Sequence, residues 1–140
     1  MDHRVQVLIV DHEVRTRRGL QALLSVWPEI KVVGAAANSV EAVQLVEKCR
    51  PDVALMGIPM PVPALGGAKE MDGLEAIRLI KSRQPRVRIV VLTMYTAHRA
   101  AALAAGADAF LLKGCPAQDL LEAIASHAAL GTTPHPSGQG

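Results

Sequence analysis

Side chains able to bind an anion or a metal follow three apolar runs of the sequence. Asp11 and His12 come directly after VLIV, Thr93 ends VVLT, and Lys113 follows AFLL. A carboxylate beside an imidazole can ligate a transition metal, and a carboxylate can also form an ion pair with a lysine. In a fourth apolar run, LMGI, the corresponding position is Gly57, which has no side chain. What these positions can do depends on whether the fold brings them together.

Short β-branched runs alternate with amphipathic stretches along the whole chain. Strands are predicted at residues 5–10, 30–33, 53–56, 87–92 and 109–112, with a helical pattern after each. Strict alternation with buried strands predicts a parallel sheet with helices on both faces, because each crossover must return right-handed to the same sheet. The sequence therefore predicts a doubly wound α/β fold with five strands and five helices. We expect one domain over residues 1–130 and a tail or linker stump over 131–140, GTTPHPSGQG, which lacks charge and large apolar side chains.

Several helix boundaries can be read from local signals. Asn38 and Asp72 each have a glutamate three residues later, which predicts two capping boxes. A fourth helix, from about residue 96, should end at Gly106, and a fifth should begin at Pro116. Ligands of doubly wound sheets bind beyond the carboxyl ends of the strands. The topology therefore places the four positions named first, at residues 11, 57, 93 and 113, around one crevice.

Composition excludes several function classes. The chain has 140 residues, a formal charge of +2 and one each of Trp, Tyr and Phe, so its arginines lack interleaved aromatic residues for stacking on bases. We therefore expect no nucleic-acid binding through this domain. No apolar run approaches the ~20 residues that cross a bilayer, and Cys49 and Cys115 lack metal-ligand spacing. We expect a cytoplasmic protein with no membrane association, in which both cysteines are ordinary residues.

Five segments, in the same order and at the same intervals, resemble the receiver domain of two-component response regulators. They are VLIVD, RPDVALM, MDGLEAI, VVLT and GADAFLLK. The resemblance runs from about residue 4 to 130 and is similar in detail to receivers that precede a LuxR-type helix-turn-helix domain. It implies a flavodoxin-like sheet with strand order 2-1-3-4-5, and a role in phosphorelay signalling.

The resemblance also implies roles for individual positions. Such receivers transfer a phosphoryl group from a histidine kinase to an aspartate at the end of the third strand, where this chain has Gly57. A divalent metal is held partly by acidic residues after the first strand, the positions of Asp11 and His12. Thr93 stands at the position of the switch hydroxyl and Lys113 at that of the lysine that grips the phosphoryl oxygens. Phe110 occupies the aromatic switch position.

Three departures fall on this one site. Gly57 offers no nucleophile, His12 replaces a hard oxygen ligand that Mg²⁺ prefers, and nine residues, 62–70 (VPALGGAKE), intervene where the family has about one. We expect a remnant phosphorylation site with no catalytic residue, no metal, no cofactor and no enzymatic activity. Asp52 should lie too far away to substitute, at the opposite end of the third strand. Glu13 could point into the crevice, but in-line attack tolerates little displacement.

Each of these residues also has a purely structural interpretation. Lys113 could pair with Asp11, Thr93 could cap the next helix, and His12 could be solvated rather than a metal ligand. The segment 62–70 could be a surface loop, or it could recognise a partner or fill the crevice.

Two functions remain open. The first is an atypical receiver, a pseudo-receiver that does not accept phosphate and acts by contact with a regulator, a kinase or a second copy, possibly in transcription regulation. The alternative is a doubly wound protein that binds a small molecule in the crevice. Against the alternative, the turn after the first strand lacks a GxGxxG or Walker A motif and the DxHxxG motif of cobalamin carriers.

Overall fold

Strands and helices alternate throughout the part of the chain that the structure describes. The structure, a computed structural model, describes residues 4–58 and 72–130, with side chains described to residue 126. The strands are β1 (Val5–Val10), β2 (Ile30–Ala36), β3 (Val53–Ile58), β4 (Arg88–Thr93) and β5 (Ala109–Leu112). The helices are α1 (Val14–Ser25), α2 (Ser39–Cys49), α3 (Gly73–Arg83), α4 (Arg99–Ala105) and α5 (Ala117–Leu130), with a 3₁₀ turn at Thr96–His98.

The five strands form one parallel sheet in the order β2-β1-β3-β4-β5. This confirms the predicted fold class and strand order. β3 lies in the centre and all six of its residues are buried, as expected for a strand covered on both faces. The register aligns Val10 with Met56, Gly57 with Leu92, and Thr93 with Leu112. The carboxyl ends of β1, β3, β4 and β5 therefore end at one edge.

Two apolar clusters, one on each face, hold the helices on the sheet. On the first face α1 and α5 contribute Leu24, Leu120 and Ile124. On the second face α2, α3 and α4 pack through small and branched side chains: Ala42, Val43, Val46, Ala76, Ile77, Ile80, Ala102 and Ala105. The core is therefore aliphatic, as the near absence of aromatic residues requires.

Helix ends follow the predicted signals with two differences. The Asp72 and Glu75 capping box is complete, whereas at α2 Asn38 accepts from the Glu41 N–H but Glu41 bonds the Ala37 N–H instead. The predicted fourth helix begins as a 3₁₀ turn and becomes α-helical only at Arg99. It ends at a left-handed Gly106 as predicted, and α5 begins one residue after Pro116.

Two predictions fall outside the described residues: the inserted segment 62–70 and the tail 131–140. Within the described ranges, no helix is both long enough and apolar enough to span a membrane.

Candidate functional site

The four positions predicted to share a crevice do converge. Asp11 follows β1 and its N–H donates to the Ala36 carbonyl of β2, which continues the ladder past the end of β1. Lys113 follows β5 and its N–H donates to the Thr93 carbonyl at 2.8 Å. Gly57 lies in β3, between these two ends of the sheet. Regular sheet hydrogen bonding, not a special loop, therefore places the backbone of this site.

Asp11 and Lys113 form an ion pair, which is the contact that the structural interpretation of Lys113 expects. Nζ of Lys113 lies 2.8 Å from Oδ2 of Asp11, and Asp11 is only 1% exposed. The other carboxylate oxygen, Oδ1, accepts from the Glu13 N–H at 2.9 Å, and Nη1 of Arg17 donates to the Asp11 carbonyl at 2.7 Å. Both oxygens of a buried charge thus have donors, which is what makes the burial of a carboxylate tolerable.

The Asp11 carboxylate occupies the space that a side chain at position 57 would need. A Cβ built on Gly57 would overlap Oδ2 of Asp11 and lie 2.8 Å from its Cγ. Real Cβ atoms do not approach other atoms so closely, so Asp11 can take this position only because residue 57 is glycine. The sequence predicted a missing side chain here, but not that a neighbouring carboxylate fills its place.

Thr93 is fully buried and its hydroxyl has two partners. Oγ1 accepts from the Tyr95 N–H at 3.2 Å and lies 2.8 Å from Nδ1 of His98. The hydroxyl donates to Nδ1 or accepts from it according to the tautomer of the His98 ring. Thr93 is not the N-cap of the following helix, which was the structural alternative for this residue, since Tyr95 is the N-cap of the 3₁₀ turn and has no side-chain cap. Sequence reasoning missed His98, whose spacing of five residues from Thr93 matches no regular periodicity.

Phe110 is partly buried against the cluster of α2, α3 and α4. The guanidinium carbon of Arg99, the first residue of α4, lies 5.9 Å from its ring centroid. This is within the range of a cation–π contact. The contact links β5 to α4 next to the crevice.

Of the other candidate residues, His12 lies beside Asp11, whereas Glu13 and Asp52 make their contacts elsewhere. Nδ1 of His12 lies 3.8 Å from Oδ1 of Asp11, and its side chain is 41% exposed. Oε1 of Glu13 accepts from the Thr16 hydroxyl, which holds Glu13 at the start of α1. Asp52 precedes β3 and accepts from the Gln6 N–H, at the opposite end of the sheet as predicted. None of these three adds a carboxylate to the Asp11–Lys113 pair.

This arrangement does not fit the Mg²⁺ site that the resemblance implies. One oxygen of Asp11 is directed to Lys113 and the other accepts from a backbone N–H. Within residues 4–58 and 72–130, no three His, Cys, Asp or Glu side chains come close enough to hold a metal ion. Mg²⁺ requires near-octahedral oxygen ligands, which a single carboxylate already paired with an ammonium does not supply.

Four exposed apolar residues lie on β4, α4 and β5 or directly after them. Met94 and Tyr95, after β4, are 64% and 57% exposed, and Leu103 of α4 and Leu112 of β5 are also exposed. Single exposed apolar residues are common on protein surfaces. We refer to these four residues as the α4–β5 surface.

Known proteins resemble this chain over most of its length. It is 35% identical over 140 residues to the transcriptional regulatory protein DegU of Brevibacillus brevis, covering 96% of this chain and 55% of that protein. It is 38% identical over 119 residues to the DNA-binding transcriptional activator DevR/DosR of Mycobacterium tuberculosis, covering 84% of this chain and 51% of that protein. The chain thus spans about half the length of the curated relatives it matches.

The solved structures agree with these relatives. A LuxR-family two-component response regulator from Aurantimonas sp. SI85-9A1 superposes with a TM-score of 0.78 at 29% identity, covering 90% of this chain and 86% of that one. Residues 7–125 match the family described as the response regulator receiver domain. The chain, with its 2-1-3-4-5 sheet and its crevice at the carboxyl ends of the strands, belongs to the response regulator receiver domain family.

Proposed function

We propose that this receiver does not accept phosphate and acts through constitutive contact with a protein partner. The observation that carries the proposal is the position of Asp11, whose carboxylate fills the place of a side chain at residue 57 and pairs with Lys113. The nucleophile is absent and the lysine that would grip phosphoryl oxygens is already neutralised. Phosphoryl transfer depends almost entirely on positioning and charge neutralisation, and both are missing from this arrangement.

The contacts of Thr93 and Phe110 support a single conformational state. Thr93 is held by Tyr95 and His98, and Phe110 is held by Arg99. A ligand shifts a conformational equilibrium only through its different affinities for the two states, so a phosphoryl group that cannot bind shifts nothing. Thr93 and Phe110 therefore stay in one arrangement whatever phosphodonor is present.

We place the partner contact on the α4–β5 surface. Met94 follows Thr93, Tyr95 donates its N–H to the Thr93 hydroxyl, and Leu112 pairs with Thr93 in the sheet. The fourth residue, Leu103, lies on α4. The partner is a kinase, a regulator or a second copy of the chain. The transcription regulators among the relatives support a role in transcription, exerted by this domain through protein contact rather than through DNA.

The alternative of a small-molecule binder in the crevice has less support. The polar groups of the crevice bond to each other, since Asp11 pairs with Lys113 and Thr93 with His98. A ligand there would have to displace these contacts.

The test adds acetyl phosphate, or beryllium fluoride, together with Mg²⁺. We expect no saturable change in the backbone amide shifts of Gly57, Thr93, Phe110 and Lys113, and no change in sedimentation coefficient. A saturable change in either, absent from a Lys113→Ala control, would show that the site accepts a phosphoryl group and would overturn the proposal.

A second test restores the missing groups. His12→Asp alone should take up no acetyl phosphate, because it supplies no acceptor at position 57. Gly57→Asp combined with His12→Asp supplies both an acceptor and a second acidic residue, and serves as the comparison. Equal uptake by the single and double variants would mean that another acceptor exists.

A further inference from the structure

A cavity lies between α1 and α5, on the face of the sheet that these two helices cover. Its volume is about 380 Å³, and its apolar lining includes Leu20 and Leu23 of α1 together with Leu92 and Leu120. Leu92 of β4 and Leu120 of α5 are buried at 4% and 3% exposure, so the cavity reaches down to the sheet. Gly19 lines it on the α1 side and Cys115 on the side of the β5–α5 turn.

We propose that this cavity binds an uncharged, largely apolar small molecule. The volume lies at the small end of the roughly 300–1,000 Å³ typical of ligand sites, and an apolar lining with a few polar groups is the usual composition of such sites. Thr16 contributes a hydroxyl and Cys115 a thiol. This site differs from the Asp11–Lys113 crevice, and the proposal does not depend on whether the receiver accepts phosphate.

The charges around the cavity favour a neutral ligand. Lys113 also lines the cavity, but its ammonium is paired with Asp11 at 2.8 Å. Burial and the nearby Asp119 carboxylate raise the pKa of the Cys115 thiol, so it stays protonated and uncharged at neutral pH. A charged ligand would lose its hydration in this apolar lining without gaining a free counter-charge.

Gly19 keeps the cavity open. It lies inside α1, where glycine is a poorer helix former than alanine. A Cβ at this position would meet no atom within 4 Å, so packing within the domain does not require glycine. A larger side chain here would extend into the space that the cavity occupies.

The base of the cavity is formed by buried side chains. Leu92 and Leu120 are 4% and 3% exposed, so an occupant must enter between α1 and α5 to contact them. A small apolar molecule can enter the cleft and contact Leu92, Leu120 and the α1 leucines together.

The test uses two fluorescent probes with the same ring skeleton. N-phenyl-1-naphthylamine is uncharged, and 1-anilinonaphthalene-8-sulfonate carries a sulfonate. We expect saturable, one-to-one binding of the uncharged probe, at least tenfold weaker binding of the sulfonate, and slower reaction of Cys115 with a thiol reagent when the uncharged probe is bound. No saturable binding, or equal binding of both probes, would overturn the proposal.

Two leucine variants locate the site. Gly19→Leu should weaken binding of the uncharged probe at least tenfold, whereas Ala22→Leu, at an exposed position of α1 outside the cavity lining, should leave it unchanged. Leucine is a better helix former than glycine, so the first variant should fold. If the chain instead sediments as a dimer that Gly19→Leu dissociates, and no probe binds, the surface is an interface between two copies and the ligand proposal is wrong.

Discussion

At the scale of single residues, the Asp11 carboxylate occupies the space that a Cβ at position 57 would need. A Cβ at position 57 overlaps the Asp11 carboxylate, so Gly57→Ala must displace Asp11 from Lys113 or shift the strand. We predict that this variant loses roughly 1 to 3 kcal/mol of unfolding free energy, the usual cost of overpacking. Urea denaturation measures it, and Gly19→Ala, where a Cβ meets nothing within 4 Å, is the comparison that should lose no stability.

A second prediction at this scale concerns transfer of the carboxylate from position 11 to position 57. Gly57→Asp alone crowds two carboxylates together, and Asp11→Ala alone removes the counter-ion of Lys113. The double variant restores one carboxylate close to the lysine, so we expect it to be more stable than the sum of the single changes by roughly 0.5 to 3 kcal/mol, the range for coupled residues. Additive effects in the double-mutant cycle would mean that the two positions do not share space.

The third residue prediction concerns the thiol of Cys115. Burial and Asp119 raise its pKa, so the folded protein keeps this proton to a higher pH than the unfolded chain does. The stability linked to this group is therefore fully present below the ordinary thiol pKa and is lost as the pH rises through the folded value. In a Cys49→Ser background, the reaction of Cys115 with a thiol reagent should have a midpoint above that of the urea-unfolded chain. Asp119→Asn should lower the midpoint, and an unchanged midpoint would contradict the assigned cause.

At the scale of the elements, α1 contains a glycine that its own packing does not explain. We predict that Gly19→Ala raises the unfolding free energy by roughly 0.5 to 1 kcal/mol, because alanine lowers the conformational entropy of the unfolded chain and is a better helix former than glycine. Gly34→Ala in β2 is the contrasting variant, since its Cβ would lie 3.2 Å from Cδ1 of Leu8. It should be neutral or destabilising, and a gain at both positions would point to an effect on the unfolded chain alone.

Elements that depend on neighbouring residues in the sequence were predicted more accurately than elements whose ends depend on pairing with a distant strand. The complete capping box of α3 is local, and Asp72 and Glu75 predicted it correctly. β2 continues to Ala36, three residues beyond its β-branched run, because its pairing with β1 extends as far as Val10. The α-helical start of α4 at Arg99 was missed because residues 96–98 form a 3₁₀ turn, whose His98 contacts Thr93 at the end of β4.

The site itself was only partly predictable. Topology placed residues 11, 57, 93 and 113 together, since parallel strands end at one edge, and the Asp11–Lys113 pair follows from two opposite charges meeting there. The entry of Asp11 into the space at Gly57 is a matter of a side-chain rotamer and distances below 3 Å. No spacing in the sequence encodes such a detail.

At the scale of the whole molecule, ligand binding and stability are linked. Of positions 11, 12 and 57, where the family has acidic residues, only position 11 is acidic in this chain. Mg²⁺ should therefore bind with a dissociation constant of about 1 mM at best. About 10 mM Mg²⁺ would then add no more than about 1.4 kcal/mol to the unfolding free energy, whereas a dissociation constant of about 0.1 mM would add about 2.7 kcal/mol. Urea denaturation with MgCl₂ against NaCl of equal ionic strength, together with calorimetry, measures this. Micromolar affinity would contradict it.

The overlap at Gly57 also bears on which sequences this fold can accept. Gly57→Asp by itself places a second side chain against the Asp11 carboxylate already in place. That variant should therefore be less stable than its parent unless Asp11 also turns away or is replaced. Marginally stable domains tolerate few such changes. An aspartate at position 57 and the present position of the Asp11 carboxylate thus exclude each other, so a stable chain with an acceptor here requires a second change at Asp11.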